Sequence, residues 1–463
     1  MRDTTPRLRT RSLLQSIAVL TLAIASSGPA ASAPAPSGDI RSTNMSLVAN
    51  LHGVGGGDIA FWGDFAAVAH GPIDGDPDND GFVLVDISRP SRPRVVSSFR
   101  CVESSHDIAI WRDLVFLGAN ADLAGPECDA KRLPEAPDQA ATGRWGGLRI
   151  VSISDPANPR LIASVKTNSG AFDVPAGPHT FTMLPDLKHR AADGSRDPRL
   201  ILYMSGGGSY LKFEEIVEVP LQRPAQAAVV AQMPTTCHDF TVFQPRRLGV
   251  CAGAVSGRTD LWDLKDPLDP TRIGEIVNPS ITHHHGSAFS SDGNTLALTD
   301  ESALMFGVLL GIHRCPAGGA SNEAAMWFYD VTEPTRPVLK SYFQLPQTPG
   351  SGRHCGAHQQ NVVPLADDRD ILVAAWYTGG STVIDFTDPS DPEQLAYYIA
   401  EPLSEDRFSN PWASYWYNGY VYASNTNLPS YGLGSKRGLD VFSVKHPALE
   451  DALPADSFNF GTQ

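Results

Sequence analysis

Phe82-Val83-Leu84-Val85-Asp86-Ile87-Ser88-Arg89-Pro90-Ser91-Arg92-Pro93 is an apolar strand that ends on an aspartate and runs into a turn marked by two prolines. Proline has a fixed φ and no N–H to give to a ladder, so it belongs between strands and not inside a sheet. The same pattern returns as Val151-Ser152-Ile153-Ser154-Asp155-Pro156 with Pro159, and as Trp262-Asp263-Leu264-Lys265-Asp266-Pro267 with Pro270. It is found again as Tyr329-Asp330-Val331-Thr332-Glu333-Pro334 with Pro337, and as Ile384-Asp385-Phe386-Thr387-Asp388-Pro389 with Pro392. Weaker copies at Ile216 to Pro220 and Val441 to Pro447 bring the count to seven.

Each copy follows a hairpin, as in Ile108 to Trp111, the turn Arg112-Asp113, and Leu114 to Leu117. A repeat is therefore four antiparallel strands, a to d from the inside outward. Such a sheet has two apolar faces and can bury them only against copies of itself, which predicts an all-β, seven-bladed β-propeller. The last repeat supplies strands a, b and c but lacks a d. Ser46-Leu47-Val48-Ala49-Asn50-Leu51, followed by a glycine-rich stretch and Asp58-Ile59-Ala60-Phe61-Trp62, matches Val95 to Phe99 followed by Asp107-Ile108-Ala109-Ile110-Trp111. The N-terminal strand is thus expected to complete the seventh blade and remove an open sheet edge. The boundaries that follow are a signal peptide over 1–33, a linker over 34–44, the propeller over 45–447 and a C-terminal tail over 448–463.

The repeats resemble the LVIVD repeat of bacterial surface and secreted propellers, on Phe82-Val83-Leu84-Val85-Asp86-Ile87-Ser88 and Gly147-Leu148-Arg149-Ile150-Val151-Ser152-Ile153-Ser154. The resemblance covers nearly all of the mature chain. It implies the propeller fold and no single activity.

Arg2, Arg7, Arg9 and Arg11 precede an apolar run from Leu13 to Ala25 and small residues through Ala33, the order of a secretory signal. The formal charge is −15, and it becomes −18 once those four arginines and Asp3 are removed. A surface so acidic repels phosphate backbones and anionic lipid, which argues against nucleic-acid and membrane-surface partners. No second apolar stretch is long enough to span a bilayer. Six cysteines in an exported chain are read as three disulfides, with Cys101–Cys128, Cys237–Cys251 and Cys315–Cys355 favoured by the repeat register. An extracytoplasmic monomer is expected.

Aligning strand a of every repeat exposes a column four residues before its key apolar position. Repeats two to six carry His106, His179, His238, His285 and His358 there, while repeats one and seven carry Gly57 and Pro411. The same end of every strand a opens on one face of a propeller, so these imidazoles are expected to gather at one channel mouth. Neutral imidazoles in a ring suit Cu, Fe, Zn or Mn. Asp107 and Asp239, each following a column histidine, are candidates to fix imidazole tautomers. Their alternative role is to brace neighbouring strands. His283, His284 and His354 near the same mouth are candidates for alternate ligands, proton shuttles or exposed loop residues, with the last reading favoured, and the long b–c loops of repeats two, five and seven are long enough to form a lid. Asp76, Asp78 and Asp80, with Gly81 sixth in the run, resemble the opening of a calcium loop, although Ile87 stands where the bidentate Glu belongs.

No nucleophile elbow, phosphate loop, dinucleotide fingerprint or HExxH helix is present. The leading expectation is a metal-dependent enzyme acting on a small molecule, with copper- or iron-dependent oxidation first and hydrolysis next. The alternative is a non-catalytic propeller that grips an extracellular protein or glycan.

Overall fold

The structure is a computed structural model that describes residues 38–70, 80–102, 107–131, 133, 145–167, 177–206, 213–254, 256–301, 324–347, 355–400, 409–428 and 433–463. It is an all-β, seven-bladed propeller: among the described residues seven sheets each contain four antiparallel strands of the a–d pattern, consecutive in the chain in all but the seventh. The inner strands are Ile59–Trp62, Ile108–Trp111, Thr180–Asp186, Asp239–Phe243, His284–Phe289, Gln360–Val362 and Pro411–Tyr417. Among the described residues no helix is long and apolar enough to cross a membrane.

Alternation along each strand decides which neighbour a side chain meets. Phe82 and Leu84 pack towards the second blade with Ile108, Val115 and Val151. Val83 and Val85, between them, pack towards the seventh blade with Tyr415, Tyr422 and Val441. Each of the seven blade interfaces has a buried apolar cluster of this kind. The core is a ring of seven interfaces, and no single blade owns it.

The repeated aspartate at the end of strand c has a local task. Asp86, Asp263, Asp330 and Asp385 each accept the backbone N–H two residues on, at 2.8 to 3.0 Å. This Asx geometry turns the chain before the prolines. In every blade the c–d pairing then carries a register shift, as between Leu84 and Val85 or Leu261 and Trp262. A bulge raises the local twist, which swings strand d outward as a propeller blade requires.

The seventh blade is composite, because Met45–Leu51 pairs with Leu439–Val444. Two boundary expectations need revision. Within the expected linker, Ile40–Arg41 pairs with the outer strand of the sixth blade, Ile40 opposite Ile399. The expected tail is an ordered strap. Leu453 N–H reaches the Pro364 carbonyl at 2.8 Å in the sixth blade, and Ala455 N–H reaches Asn418 Oδ1 at 2.8 Å in the seventh. Ser457–Phe458 adds a strand inside the first blade. Asn459 brackets Ile110 of the second with bonds of 2.7 and 3.0 Å, and Thr462 donates to Met183 O of the third at 2.9 Å. Gly461 and Gln463 bond Val242 of the fourth, and the Gln463 side chain bonds both backbone groups of Phe289 in the fifth. Repeat counting misses this strap because it is not a repeat.

Cys101–Cys128 and Cys237–Cys251 are disulfides. Cys355 is also disulfide-bonded, but Cys315 lies outside the described residues.

Candidate metal centre at the channel mouth

The column alignment has a backbone basis. Gly57, His179, His238 and His358 each give their N–H to the last part of strand b of their own blade, to Ala69, Ser205, Ala252 and Ala375. They therefore stand at one level of the channel. The His238 and His285 ring centroids are 4.3 Å apart, and those of His285 and His358 are 4.2 Å apart. His179, partly exposed, meets His238 edge-on at 4.8 Å. His106 lies outside the described residues, as do His354, Asp76 and Asp78. Asp80 is buried near Arg149, whose guanidinium is pushed down to about 10 by burial, with the Asp80 charge opposing that shift.

Two neighbours of the column behave differently from expectation. His283 and His284 are buried, not exposed. His284 turns into the blade interface, with Nδ1 2.8 Å from Thr259 Oγ1. His283 turns into the channel, 5.1 Å from the His238 ring. The Asp300 carboxylate accepts His283 N–H at 3.0 Å, and Glu301 N–H bonds His283 O at 3.1 Å. These bonds tie the start of strand a to the end of strand b and fix Glu301 beside the histidines.

Glu301 is the centre of the cluster and carried no sequence signal of its own. Its Oε2 lies 3.5 Å from His285 Nε2 and 3.6 Å from His283 Nε2, and its Oε1 lies 3.5 Å from His358 Nε2. Tyr377 donates its hydroxyl to Glu301 Oε1. Tyr377 has a φ of 48° in a turn closed by Gly380 N–H to Tyr377 O at 2.9 Å. A bulky residue there costs about 1 kcal/mol, and the turn aims its ring at Glu301.

The far ring nitrogens are also engaged. His358 Nδ1 lies 2.5 Å from the Trp412 carbonyl. Asp239 stands between two imidazoles, with Oδ1 3.3 Å from His238 Nδ1 and Oδ2 3.3 Å from His285 Nδ1. Asp107 braces backbone instead, accepting the Phe181 N–H at 2.5 Å and the Ile108 N–H at 3.1 Å.

Burial sets the charge state. It pushes His238 and His179 down to about 4, and His283, His285 and His358 well below the usual imidazole range. Burial raises Glu301 to about 8 and Asp239 to about 7. The imidazoles are accordingly neutral, the form that ligates metals. Among the described residues, three groups bring one donor atom each within 4.8 Å of the others: His285, Glu301 and His358; His238, His283 and Glu301; and His238, Asp239 and His285.

The residue spacing has a simple test. Donor atoms about 2.1 Å from a tetrahedral ion sit about 3.4 Å apart, close to the 3.5 to 3.6 Å between Glu301 and its histidines. Those separations are too long for hydrogen bonds, and both His283 nitrogens and His358 Nε2 are buried without a partner. Buried His, Asp and Glu groups here could hold a metal ion.

The LVIVD repeat family matches residues 56–100 and 142–167. This chain carries LVIVD repeats in a seven-bladed propeller. The matched segments are the first blade and the later half of the second, the places where the repeat is written most fully. No functionally curated protein matches the sequence. Among solved structures, this LVIVD-repeat chain is similar to a putative 6-phosphogluconolactonase from Bacteroides fragilis, with 9% identity and a TM-score of 0.52 over 87% of this chain and 96% of that one. It is also similar to the WD40 β-propeller domain of Doa1, with 10% identity and a TM-score of 0.50 over 87% and 98% of the two chains. At such identity these likenesses concern the fold alone.

Proposed function

We propose that this LVIVD-repeat propeller is an extracytoplasmic metalloprotein in which Glu301, His285 and His358 hold one transition-metal ion. A small molecule reaches it from the histidine face. The supporting observation is that the two oxygens of the Glu301 carboxyl lie 3.5 Å from the Nε2 atoms of His285 and His358, at ligand spacing and away from water. Formed disulfides support an oxidising compartment.

Two imidazoles and one carboxylate with further positions open suit non-haem iron, and an added imidazole suits copper or zinc. When bound, such an ion supplies redox capacity or Lewis acidity, so oxidation is the first chemistry and hydrolysis the second. The chain's own residues do the rest. Tyr377 holds Glu301 through its hydroxyl. The Trp412 carbonyl accepts a hydrogen bond from His358 Nδ1–H, a tautomer that leaves Nε2 with its lone pair towards Glu301. Asp239 does the same for the far nitrogen of His238, and its Oδ2 lies 3.3 Å from His285 Nδ1.

Elemental analysis of protein purified without a histidine tag tests the reading. Roughly one equivalent of a single transition metal is expected, with near-complete loss in E301Q and in H358A. Less than about a tenth of an equivalent after reconstitution would leave the non-catalytic binding propeller as the better reading.

A further inference from the structure

The strap that visits all seven blades ends beneath the histidine cluster. Its bonds reach the far ends of the inner strands: Trp62 and Phe61, Ile110, Val242 and Phe289. The histidines sit at the opposite ends of those strands. Between the two levels stands Phe460, buried in the channel and stacked 6.2 Å from Tyr415. Tyr415 in turn bonds Asp58 and Gln359.

Gly286 shows how closely this layer meets the cluster. A Cβ there would stand 3.1 Å from Asp239 Oδ2 and 3.1 Å from Phe460 Cζ. The phenyl ring and the carboxylate that faces His238 and His285 thus converge over a position that has no side chain. Gly461, the next strap residue, has a φ of +69°, and a Cβ on it would lie 2.6 Å from Thr182 Oγ1 and 2.7 Å from the Phe240 carbonyl. Only glycine lets the strap run this close to the third and fourth blades while carrying Phe460 inward.

We propose that Phe460, delivered by the strap over Asn459–Gln463, is a positioning residue: it plugs the channel under the cluster and holds Asp239 against His238 and His285. The cluster then opens only towards the histidine face. This rests on the metal reading for its use, but the geometry stands apart from it.

The full-length chain with F460A, F460L and G461A makes the test. F460A removes the ring, G461A displaces the strap with the ring intact, and F460L keeps an apolar plug. With Zn²⁺ as the probe, release to a chromogenic chelator should be roughly tenfold faster in F460A and G461A, and close to wild type in F460L. Wild-type release from both F460A and G461A, with circular dichroism showing an intact fold, overturns the proposal. If the wild-type chain retains no Zn²⁺, the metal reading has failed and a metal-free measurement decides on Phe460. The ¹⁵N imidazole signals of His238 and His285 should move in F460A and not in F460L, and signals that stay in place overturn it. Should F460A not fold, G461A carries the same comparison.

Discussion

Individual residues in this protein are set by burial more than by neighbouring charge. Glu301 at about 8 and the imidazoles at about 4 or below are pushed in opposite directions by the same loss of water. Glu214, in strand c of the third blade, shows the cost to the fold away from the cluster. It is fully buried, accepts the Cys237 N–H at 2.5 Å, and has its pKa raised well above the usual carboxyl range by burial. The native chain keeps this proton while the unfolded chain releases it near pH 4, so the folded state binds more protons. Stability from this group is complete below the ordinary glutamate pKa and falls as pH rises towards its folded value, by at most about 1.4 kcal/mol per pH unit. E214Q should therefore flatten the decline in stability above about pH 4.5, as read from urea midpoints. A decline of equal slope in the variant would assign it to other buried acids such as Asp107.

At the level of elements, the a-strand ends and b-strand ends form the cluster, and their covalent and hydrogen-bonded ties determine its precision. The Cys237–Cys251 bridge joins the residue before His238 to strand b of the same blade, across 14 residues. Cross-linking a loop of that size contributes about 3 kcal/mol, mostly by restricting the unfolded chain. C237S/C251S should lower the unfolding free energy by about that amount in chemical denaturation. The His238 column should also loosen locally, as seen in faster amide exchange at His238 and Ala252. A loss confined to exchange with no change in the denaturation midpoint would contradict the first expectation.

Across the whole molecule, both ends of the described chain are sewn into the ring. Deleting residues 38–51 removes the outer strand of the seventh blade and the addition to the sixth, leaving an exposed edge on strand Leu439–Val444. The expected outcome is a lower melting temperature and concentration-dependent association, checked by calorimetry and light scattering. Sequence alone determined the blade count, the Asp-to-proline turns and the common level of His179, His238 and His358, because each is a local pattern repeated at a fixed place in most of the blades. It also determined the two described disulfide pairs, since the register brings those cysteines to one place. Tertiary structure decided what surrounds the column. Glu301 follows a strand end that resembles any other, and Tyr377 sits in a short turn between strands b and c of the sixth blade, outside the repeated pattern. His283 reads as an exposed loop residue until the fifth blade folds it inward. The strap has no repeat and little periodicity, so its path across seven blades exists only once the ring gives it a channel to cross. Residues brought together from the third to the seventh blade by closure of a ring leave no trace in sequence spacing, whereas a strand and its turn are encoded within a dozen residues.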